Sequence, residues 1–417
     1  MGSKVILNRE QELALEKILV EKRNVFVSGA GGTGKSTIIN EIRCKLKNVV
    51  VCAPTGMAAM NVCGETLHST FKLPCRALGP NENIEAMLNK VITNAQIIIL
   101  DEISMVRSDC FSTIIRIIRC AEEKTNRKIQ IVVFGDFYQI PPVITTNDRT
   151  VISEAWSRET QHGFCFETKE WKQCNFDFVE LKKNVRQNND DAYEYNLNLL
   201  REGNAECIEY FNRETSKHML DGVTLCGRKA DVDTINRTEA EKLPGAFVQY
   251  TAICEGGFPQ NKKMTEDKLL LKVGMRVMTV CNDVDKQYRN GSIGTITKLL
   301  DESVVVKFDK GNMATVVPYT WKACKSKCEE GKIVEDYLGS WTQLPIRVAY
   351  ASTIHKAQGM TLDSVNISPD VFEAGMLYVA MGRCHSVKDI HLLEPIDESA
   401  VMASPKVKEF YESLREM

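Results

Sequence analysis

A glycine-rich turn between a predicted strand and a predicted helix constrains this chain more than any other feature. The apolar run Val25–Val27 has the β-branched and aromatic character of a buried strand. It leads directly into GAGGTGKS at residues 29–36, which fits the phosphate-loop pattern G-x-x-x-x-G-K-[ST]. Glycines let backbone N–H groups surround phosphate oxygens, and a helix predicted over residues 36–47 presents its positive end to the same anion. The pattern predicts a nucleotide-binding α/β domain.

The polar side chains of this loop have separate predicted tasks. Lys35 is expected to reach the β- and γ-phosphates of a nucleoside triphosphate, and the Ser36 hydroxyl to bind Mg²⁺. The alternative is a glycine-rich turn that matches by accident, and the strand-then-helix context argues against it. The predicted nucleotide-binding residues of the loop are Gly29, Ala30, Gly31, Gly32, Thr33, Gly34, Lys35, Ser36 and Thr37.

Length and charge limit the class of protein only loosely. The 417 residues are enough for two to four domains, and 43% hydrophobic and 26% charged residues are ordinary for a globular chain. A net charge of −2 argues against a polyanion binder that works through bulk charge. The net charge does not exclude a local basic groove, since nucleic-acid binding requires only one positive face.

Fifteen scattered cysteines indicate reduced thiols and not a disulfide scaffold. We therefore expect an intracellular reducing compartment, which is the nucleus, the cytoplasm or a virus-infected cell. The close pair Cys324 and Cys328 has no second pair to complete a zinc site, so surface thiols are favoured over zinc. The sequence has neither an apolar run long enough to cross a membrane nor a charged-then-apolar leader, so no membrane association is expected.

Apolar segments that alternate with helical segments predict an α/β fold with parallel sheets. A first unit, residues 1–165, contains strands predicted at residues 48–53, 95–101 and 128–136, and a helix predicted at residues 111–120. The second unit is predicted to comprise residues 166–245 and 344–417, to begin with a strand at residues 175–181 and to end in a surface helix. Short strands joined by turns predict a small β-barrel inserted at residues 246–343. Within it, the charged run after Thr320 is expected to be a solvated loop.

Two acidic residues follow the apolar strand IIIL at residues 97–100. Asp101 is the predicted Mg²⁺ ligand, and Glu102 is the predicted base that orients or deprotonates water. Their distance along the chain from the phosphate loop favours this interpretation over an ordinary strand end with two solvated acids.

A glutamine and two arginines complete the predicted catalytic set. Gln139 stands before two prolines in FGDFYQIPP, where its amide could sense the γ-phosphate or face solvent; the residues alone leave both interpretations open. Arg186 and Arg383 are candidates for guanidinium groups that stabilise the transferred phosphoryl group. The candidate catalytic residues, of which Gln139 and the two arginines stay open on the residues alone, are Lys35, Glu102, Gln139, Arg186 and Arg383.

In order along the chain, these motifs resemble those of superfamily 1 helicases of the 5′-to-3′ subclass. The resemblance is specifically to the PIF family, with its phage Dda-like and RecD-like relatives, and it covers residues 7–393. It implies two RecA-like domains and an SH3-like domain at residues 246–343. It also implies that ATP, with Mg²⁺, drives translocation on single-stranded DNA and unwinding of forked or tailed duplexes.

The resemblance further assigns residues that spacing alone does not. Gln11 in LNREQ is similar to an adenine-reading glutamine, and Gln358 and Gly359 are expected near the nucleotide. A short segment near residues 70–90 is similar to a strand-separating wedge. The residues expected to contact DNA are Pro54, Thr55, Thr66, His68, Ser69, Thr353, His355 and Lys356.

Two other functions stay open at this stage. An RNA or RNA/DNA-hybrid helicase would share the fold, since no residue pattern here reads a 2′-hydroxyl. A nucleotide-dependent switch would need no paired DNA-contact motifs and is disfavoured by them. A monomeric motor is the simplest expectation, with replication or repair proteins as possible partners. The preferred DNA structure, whether fork, R-loop or G-quadruplex, is not set by the sequence.

Overall fold

The computed structural model divides the chain into two compact units. Unit 1 comprises Met1–Asp221 and Ile354–Met417, and unit 2 comprises Gly222–Thr353. The backbone alone is described at residues 57, 60, 323–329, 332–336 and 338. The structure describes residues 7–145, 148–149, 152, 156, 163–184, 190–258, 260, 263–288, 292–309, 311–329 and 332–416.

A parallel sheet of six strands lies at the centre of unit 1, in the order β3-β2-β4-β5-β1-β6. Every neighbouring pair in it is parallel, which confirms the predicted parallel α/β fold. A further parallel pair, β19 (Val365–Ile367) and β20 (Ile390–Leu392), also lies in unit 1. The strands of the sheet are β1 (Val25–Gly29), β2 (Val49–Ala53), β3 (Glu65–Thr66), β4 (Ile97–Leu100), β5 (Gln130–Gly135) and β6 (Asp177–Leu181).

Helices of unit 1 cover this sheet and connect its strands, and the helix Lys229–Lys242 belongs to unit 2. The residues that the structure describes form these α-helices: α1 (Arg9–Leu15), α2 (Lys35–Lys45), α3 (Gly56–Asn61), α4 (Leu67–Thr70), α5 (Ile84–Met87), α6 (Lys90–Asn94), α7 (Ser108–Thr125), α8 (Lys169–Cys174), α9 (Asp191–Arg201), α10 (Cys207–Glu214), α11 (Lys229–Lys242), α12 (Ile354–Ala357), α13 (Met376–Met381) and α14 (Pro405–Arg415). The described part of the chain has no helix long and apolar enough to span a membrane.

The first helix begins at a reciprocal cap. The Asn8 side chain accepts a hydrogen bond from the Gln11 backbone N–H at 2.9 Å, and the Gln11 side chain accepts one from the Asn8 N–H at 3.1 Å. This capping box satisfies two backbone donors that the first turn leaves unpaired. Asn8 is therefore the N-cap of α1.

Aromatic side chains fill one face of the central sheet and hold the C-terminal helix there. Phe26 of β1 packs against Trp171 and Phe137, with ring centroids 5.4 and 5.5 Å apart. Phe410 of α14 stacks on Phe166 at 4.2 Å, and Tyr411 is fully buried. Helix α14 is thus part of the core of unit 1, and the prediction of a surface helix was wrong for this face.

Strand β6 corrects the predicted border of the first unit. It pairs in parallel with β1, with Val25 opposite Asp177 and Gly29 opposite Leu181. By sequence, this strand is predicted to belong to the second unit, beyond residue 165. An apolar run shows that a strand is buried, but it does not show which strand lies beside it.

Antiparallel strands dominate unit 2, where a five-stranded sheet has the order β14-β13-β12-β11-β17. Its core includes Val277, Val306 and Ile346, all fully buried. The predicted β-rich region is confirmed, and the SH3-like description stays a prediction. The strands of unit 2 are β7 (Val223–Cys226), β8 (Val248–Thr251), β9 (Ile253–Gly256), β10 (Lys268–Leu271), β11 (Arg276–Thr279), β12 (Ile293–Leu299), β13 (Val304–Phe308), β14 (Met313–Val316), β15 (Tyr319–Glu329), β16 (Lys332–Gln343), β17 (Ile346–Val348) and β18 (Ala351–Thr353).

The charged run after Thr320 was expected to be a solvated loop, and this expectation was wrong. Strands β15 and β16 pair along their whole length, from Tyr319 opposite Gln343 to Glu329 opposite Lys332. Alternating side chains on a two-stranded ribbon can be polar on both faces, so a charged composition does not exclude strands. The side chains of Cys324 and Cys328, for which the sequence favoured thiols over zinc, lie outside the described part.

Candidate functional site

The phosphate loop joins β1 to α2, as the glycine-rich pattern predicts. Gly34 has a backbone φ of 86°, which only glycine adopts readily, and its N–H group stands at the start of α2. The Lys35 ammonium donates hydrogen bonds across the loop, to the Gly29 carbonyl at 2.6 Å and the Ala30 carbonyl at 3.0 Å. This places a positive charge over the concave side of the loop, where an anion would bind.

Gln11 stabilises this loop through a hydrogen bond to its backbone. Its amide nitrogen donates to the Thr33 carbonyl at 3.1 Å, and the side chain is 5% exposed. A Cβ atom at Gly34 would lie 2.4 Å from the same nitrogen, so the close approach needs glycine there. Both ends of the Gln11 amide are engaged within the protein, and adenine reading by Gln11 stays a prediction.

Asp101 and Glu102 follow β4 as predicted and lie in different surroundings. Asp101 is buried, which, together with the neighbouring Glu102 charge, raises its pKa to about 7; Lys35 acts in the opposite direction. A buried carboxylate with a raised pKa favours a cation beside it. Ser36, an exposed residue at the start of α2, carries the second predicted oxygen donor.

These two oxygen donors suit magnesium better than a metal held by a protein cage. The described residues contain no group of three or more His, Cys, Asp and Glu side chains that could hold a metal ion. Mg²⁺ commonly takes only one or two protein oxygens and completes its shell with water and substrate phosphates. The residues present therefore fit the predicted ion.

Glu102 has an unusual backbone and a distant partner. Its φ of 49° and ψ of 48° lie in the left-handed region, which costs a non-glycine residue energy. The Gln358 amide donates to a Glu102 carboxylate oxygen at 3.2 Å, although the two residues are far apart in sequence. Gln358 thus contacts the proposed base, and its place near a nucleotide stays a prediction.

Gln139 is buried, with 3% of its surface exposed. The interpretation that it faces solvent was therefore wrong. Gly375 explains the burial: a Cβ atom there would lie 2.5 Å from the Tyr138 carbonyl oxygen and 2.8 Å from that of Gln139. Helix α13, which begins after Gly375, thus rests directly on the glutamine loop.

A buried ion pair fixes the start of that loop, and the sequence analysis missed it. Arg201 of α9 donates to both carboxylate oxygens of Asp136, with N···O distances of 2.9 to 3.2 Å. Tyr378 of α13 donates to the same carboxylate at 3.1 Å. Burial alone would raise the pKa of Asp136, but the Arg201 charge and hydrogen bonds outweigh it and hold the pKa below its ordinary value. No sequence signal pairs Asp136 with an arginine 65 residues away.

Replacing Asp136 with asparagine is expected to destabilise unit 1 by about 3–5 kcal/mol, because Arg201 would stay buried without its counter-charge. Because the folded-state pKa is lowered, the Asp136 contribution is present above pH about 3.9 and is lost as pH falls further. The difference in stability of unit 1 between wild type and the Asp136 variant should therefore become smaller below pH 4. Hydrogen exchange of β1 and β5 amides measures the local free energy of opening.

Arg415→Ala is the matched control for Asp136→Asn. It removes a partly exposed ion pair with Glu180 at 2.8 Å, for which a loss of at most about 1 kcal/mol is expected. Equal exchange rates in the Asp136 variant and the control would contradict the assigned importance of the buried pair.

Arg383 lies beside the phosphate loop, as a predicted finger should. It is 2% exposed, and it lines one cavity together with Ala30 and Gly31. Its guanidinium donates to the Val379 carbonyl at 2.6 Å and the Met360 carbonyl at 3.1 Å. Asn184, which the sequence analysis did not single out, lines the same cavity and donates to the Gly31 carbonyl at 2.9 Å. Arg186 lies outside the described residues.

The residues expected to contact DNA have local roles near the phosphate-loop sheet. The Thr55 hydroxyl accepts a hydrogen bond from the Ala58 N–H at 3.2 Å, at the start of α3. The Thr66 hydroxyl caps α4 by accepting from the Ser69 N–H at 3.3 Å. Pro54 precedes α3, and His68 lies on α4. Burial, and then the nearby Arg107 charge, lowers the pKa of His68, so its imidazole is neutral at pH 7.

The second set of predicted DNA contacts lies around α12. Thr353 ends β18 in unit 2, opposite Cys226. His355 and Lys356 lie on α12 in unit 1, where burial lowers the pKa of His355 and Lys356 is exposed. A neutral imidazole can donate one hydrogen bond to a phosphate oxygen without carrying charge. DNA contact by both sets stays a prediction.

The comparison with known proteins gives a consistent result. Residues 6–204 match the model of the family described as PIF1-like helicase. The ATP-dependent DNA helicase Pif1 of Campylobacter jejuni is 31% identical over 409 residues, which span 88% of this chain and 88% of that protein. The chain belongs to the PIF1-like helicase family. A Bacteroides Pif1 crystal structure bound to single-stranded DNA is 32% identical, covers 99% of this chain and 98% of that one, and superposes with a TM-score of 0.82.

Other PIF1-like helicases are longer than this chain. The ATP-dependent DNA helicase PIF1 of Xenopus laevis is 31% identical over 443 residues, and the match spans all of this chain but 65% of that protein. The family membership rests on the shared region alone.

Proposed function

We propose that this protein is an ATP-dependent 5′-to-3′ DNA helicase that translocates on single-stranded DNA and unwinds duplex. The observation that carries the proposal is a cavity lined by Ala30 and Gly31 of the phosphate loop together with Arg383. An arginine beside a phosphate loop can stabilise the charge of the transferred phosphoryl group. Membership of the PIF1-like helicase family supports the DNA substrate and the direction.

Hydrolysis would use the phosphate loop, the residues that follow the strands of the central sheet, and the arginine of the cavity. The Gly29–Thr37 loop and Lys35 hold the triphosphate. Glu102 accepts the proton of a water molecule as its oxygen attacks the γ-phosphorus and the bond to the β–γ bridging oxygen breaks. Arg383 and Gln139 stabilise and sense the charge of the transferred group, and Arg186 is proposed as a second finger. Mg²⁺ would be held by Ser36 and Asp101 and would neutralise phosphate charge when bound.

Strand movement would follow from closure on ATP and opening after hydrolysis. We propose that Thr66 and His68 contact DNA phosphates in one phase and Thr353 and His355 in the other. Such contacts are largely independent of sequence and sensitive to salt. Forked or tailed duplexes are the proposed substrates, the segment near residues 70–90 is the proposed wedge, and residues 246–343 form the proposed SH3-like domain. A monomeric motor remains the simplest arrangement.

Steady-state ATP hydrolysis without nucleic acid, with single-stranded DNA and with single-stranded RNA of equal length tests the function. Strong stimulation by DNA alone is expected, followed by unwinding of 5′-tailed but not 3′-tailed duplexes. Equal stimulation by RNA would establish the RNA helicase instead, and no stimulation by either would leave a switch ATPase.

His355→Ala is expected to weaken DNA coupling more than it changes hydrolysis without DNA. Loss of one hydrogen bond to a phosphate should raise the DNA concentration for half-maximal stimulation about tenfold. His218→Ala is the control, because His218 lies in unit 1 outside both predicted DNA-contact segments. An unchanged DNA response in the His355 variant would remove His355 from the strand-binding surface.

A further inference from the structure

Gln358 makes a contact with Glu102 that the proposed chemistry does not require. Its amide nitrogen donates to the carboxylate oxygen Oε2 of Glu102 at 3.2 Å and lies 3.4 Å from the Ser104 hydroxyl oxygen. Gln358 is 5% exposed, so water competes little for this amide. One oxygen of the proposed base is therefore held by a side chain from a distant segment.

Two features of this contact are energetically unfavourable. The carbonyl oxygen Oε1 of Gln358 is buried and has no hydrogen-bond partner in the described part of the chain. Glu102, the acceptor, has a left-handed backbone that is unfavourable for a residue with a side chain. Because the Gln358 amide is only partly hydrogen-bonded and the Glu102 backbone is strained, the contact can be replaced at low cost by other hydrogen bonds of the two side chains.

The same segment connects this contact to the proposed strand-binding helix. Gln358 directly follows α12, which carries His355 and Lys356. The next residue, Gly359, accepts a hydrogen bond from the Asn61 side chain of α3 at 3.2 Å. Because only one residue separates Gln358 from Lys356, a shift of α12 is passed directly to the backbone that carries the amide.

We propose that Gln358 is a positioning residue that restrains Glu102 in the strand-free protein and releases it when a single strand binds at α12. This inference rests on the proposed function and adds the means by which strand binding accelerates hydrolysis. The restraint occupies one of the two carboxylate oxygens that can accept the proton of the attacking water. Binding of phosphates by His355 and Lys356 moves α12 and frees that oxygen.

Gln358→Leu in the full chain tests the restraint, since leucine fills similar space without an amide donor. Strand-free kcat is expected to rise about tenfold, the factor for one hydrogen bond to a charged group. The KM for ATP and the kcat at saturating oligo-dT should stay unchanged, so the stimulation by DNA falls by the same factor. A merely structural role would lower both rates and would not raise the strand-free rate.

Ser104→Ala is the neighbouring control, because it removes the 3.4 Å contact and keeps the Glu102 bond. It should retain the wild-type strand-free rate. Asn61→Ala serves if the leucine variant fails to fold, since Asn61 is exposed and anchors only the Gly359 carbonyl. It should raise the strand-free rate by a smaller factor and leave the DNA-saturated rate unchanged.

A strand-free rate that is unchanged or lowered in the folded Gln358 and Asn61 variants would overturn the restraint. If wild type is stimulated by oligo-dT and Glu102→Gln is inactive in that same assay, the proposed function stands without it. If wild type itself shows no stimulation by oligo-dT, the proposed function and the restraint both fail.

Discussion

Arg383→Ala is expected to bind ATP nearly as wild type does and to hydrolyse it about a thousandfold or more slowly. The reason is the position of Arg383 on the cavity that Ala30 and Gly31 line. A guanidinium there stabilises charge that develops on the γ-phosphoryl group only during transfer, so its loss affects kcat more than the nucleotide Kd. Single-turnover hydrolysis and fluorescent-nucleotide titration measure the two quantities separately.

The matched control for this variant is Arg43→Ala. Arg43 also donates to two backbone carbonyls, those of Val62 at 2.6 Å and Cys63 at 2.8 Å, but it does not line the cavity. It should hydrolyse ATP at the wild-type rate. Normal turnover in the Arg383 variant, or an equal loss in the control, would refute the finger role.

Glu102→Gln should reduce hydrolysis by about a hundred- to ten-thousandfold while ATP binding persists, because an amide oxygen cannot accept the water proton as a carboxylate does. The substitution keeps the shape of the side chain and its acceptor toward Gln358. Lys35→Ala should abolish hydrolysis as well, but through weakened binding of the triphosphate. Comparison of nucleotide Kd and DNA-saturated kcat in the two variants distinguishes these causes.

Glu122→Gln is the control for the glutamate substitution. The Glu122 carboxylate accepts a hydrogen bond from the Ile129 N–H at 2.8 Å, far along the chain from the phosphate loop, and an amide oxygen can replace it. Its hydrolysis should match wild type. Wild-type turnover in Glu102→Gln would mean that another group deprotonates or orients the water.

Local patterns predicted the elements of the site well, because each depends on residues close in sequence. The Val25–Val27 run and the glycines after it specify a strand, a turn and a helix. Asn8 and Gln11 cap α1 across three residues. The apolar run at residues 97–100 becomes the buried strand β4, with Asp101 and Glu102 at its end.

The wrong predictions concern elements whose neighbours in the fold lie far away in the sequence. Residues 177–181 form the predicted strand, but this strand pairs with β1 and so belongs to the first sheet. Residues 405–415 form the predicted helix, but the aromatic face of that sheet buries Tyr411. Hydrophobic periodicity predicts which face of an element is buried, but it does not predict which element packs against that face.

The sequence by itself determined the predicted nucleotide chemistry, since glycine spacing and a lysine for phosphate binding, and strand-end carboxylates for metal binding and water activation, are short-range features. Only the tertiary structure decided what surrounds those groups. It buried Gln139 beneath Gly375, paired Asp136 with Arg201, and placed the Gln358 amide on Glu102. These contacts join segments separated by 65 to 256 residues. They form because burial removes water as a competing partner, and a polar group must then find its partner wherever the folded chain provides one.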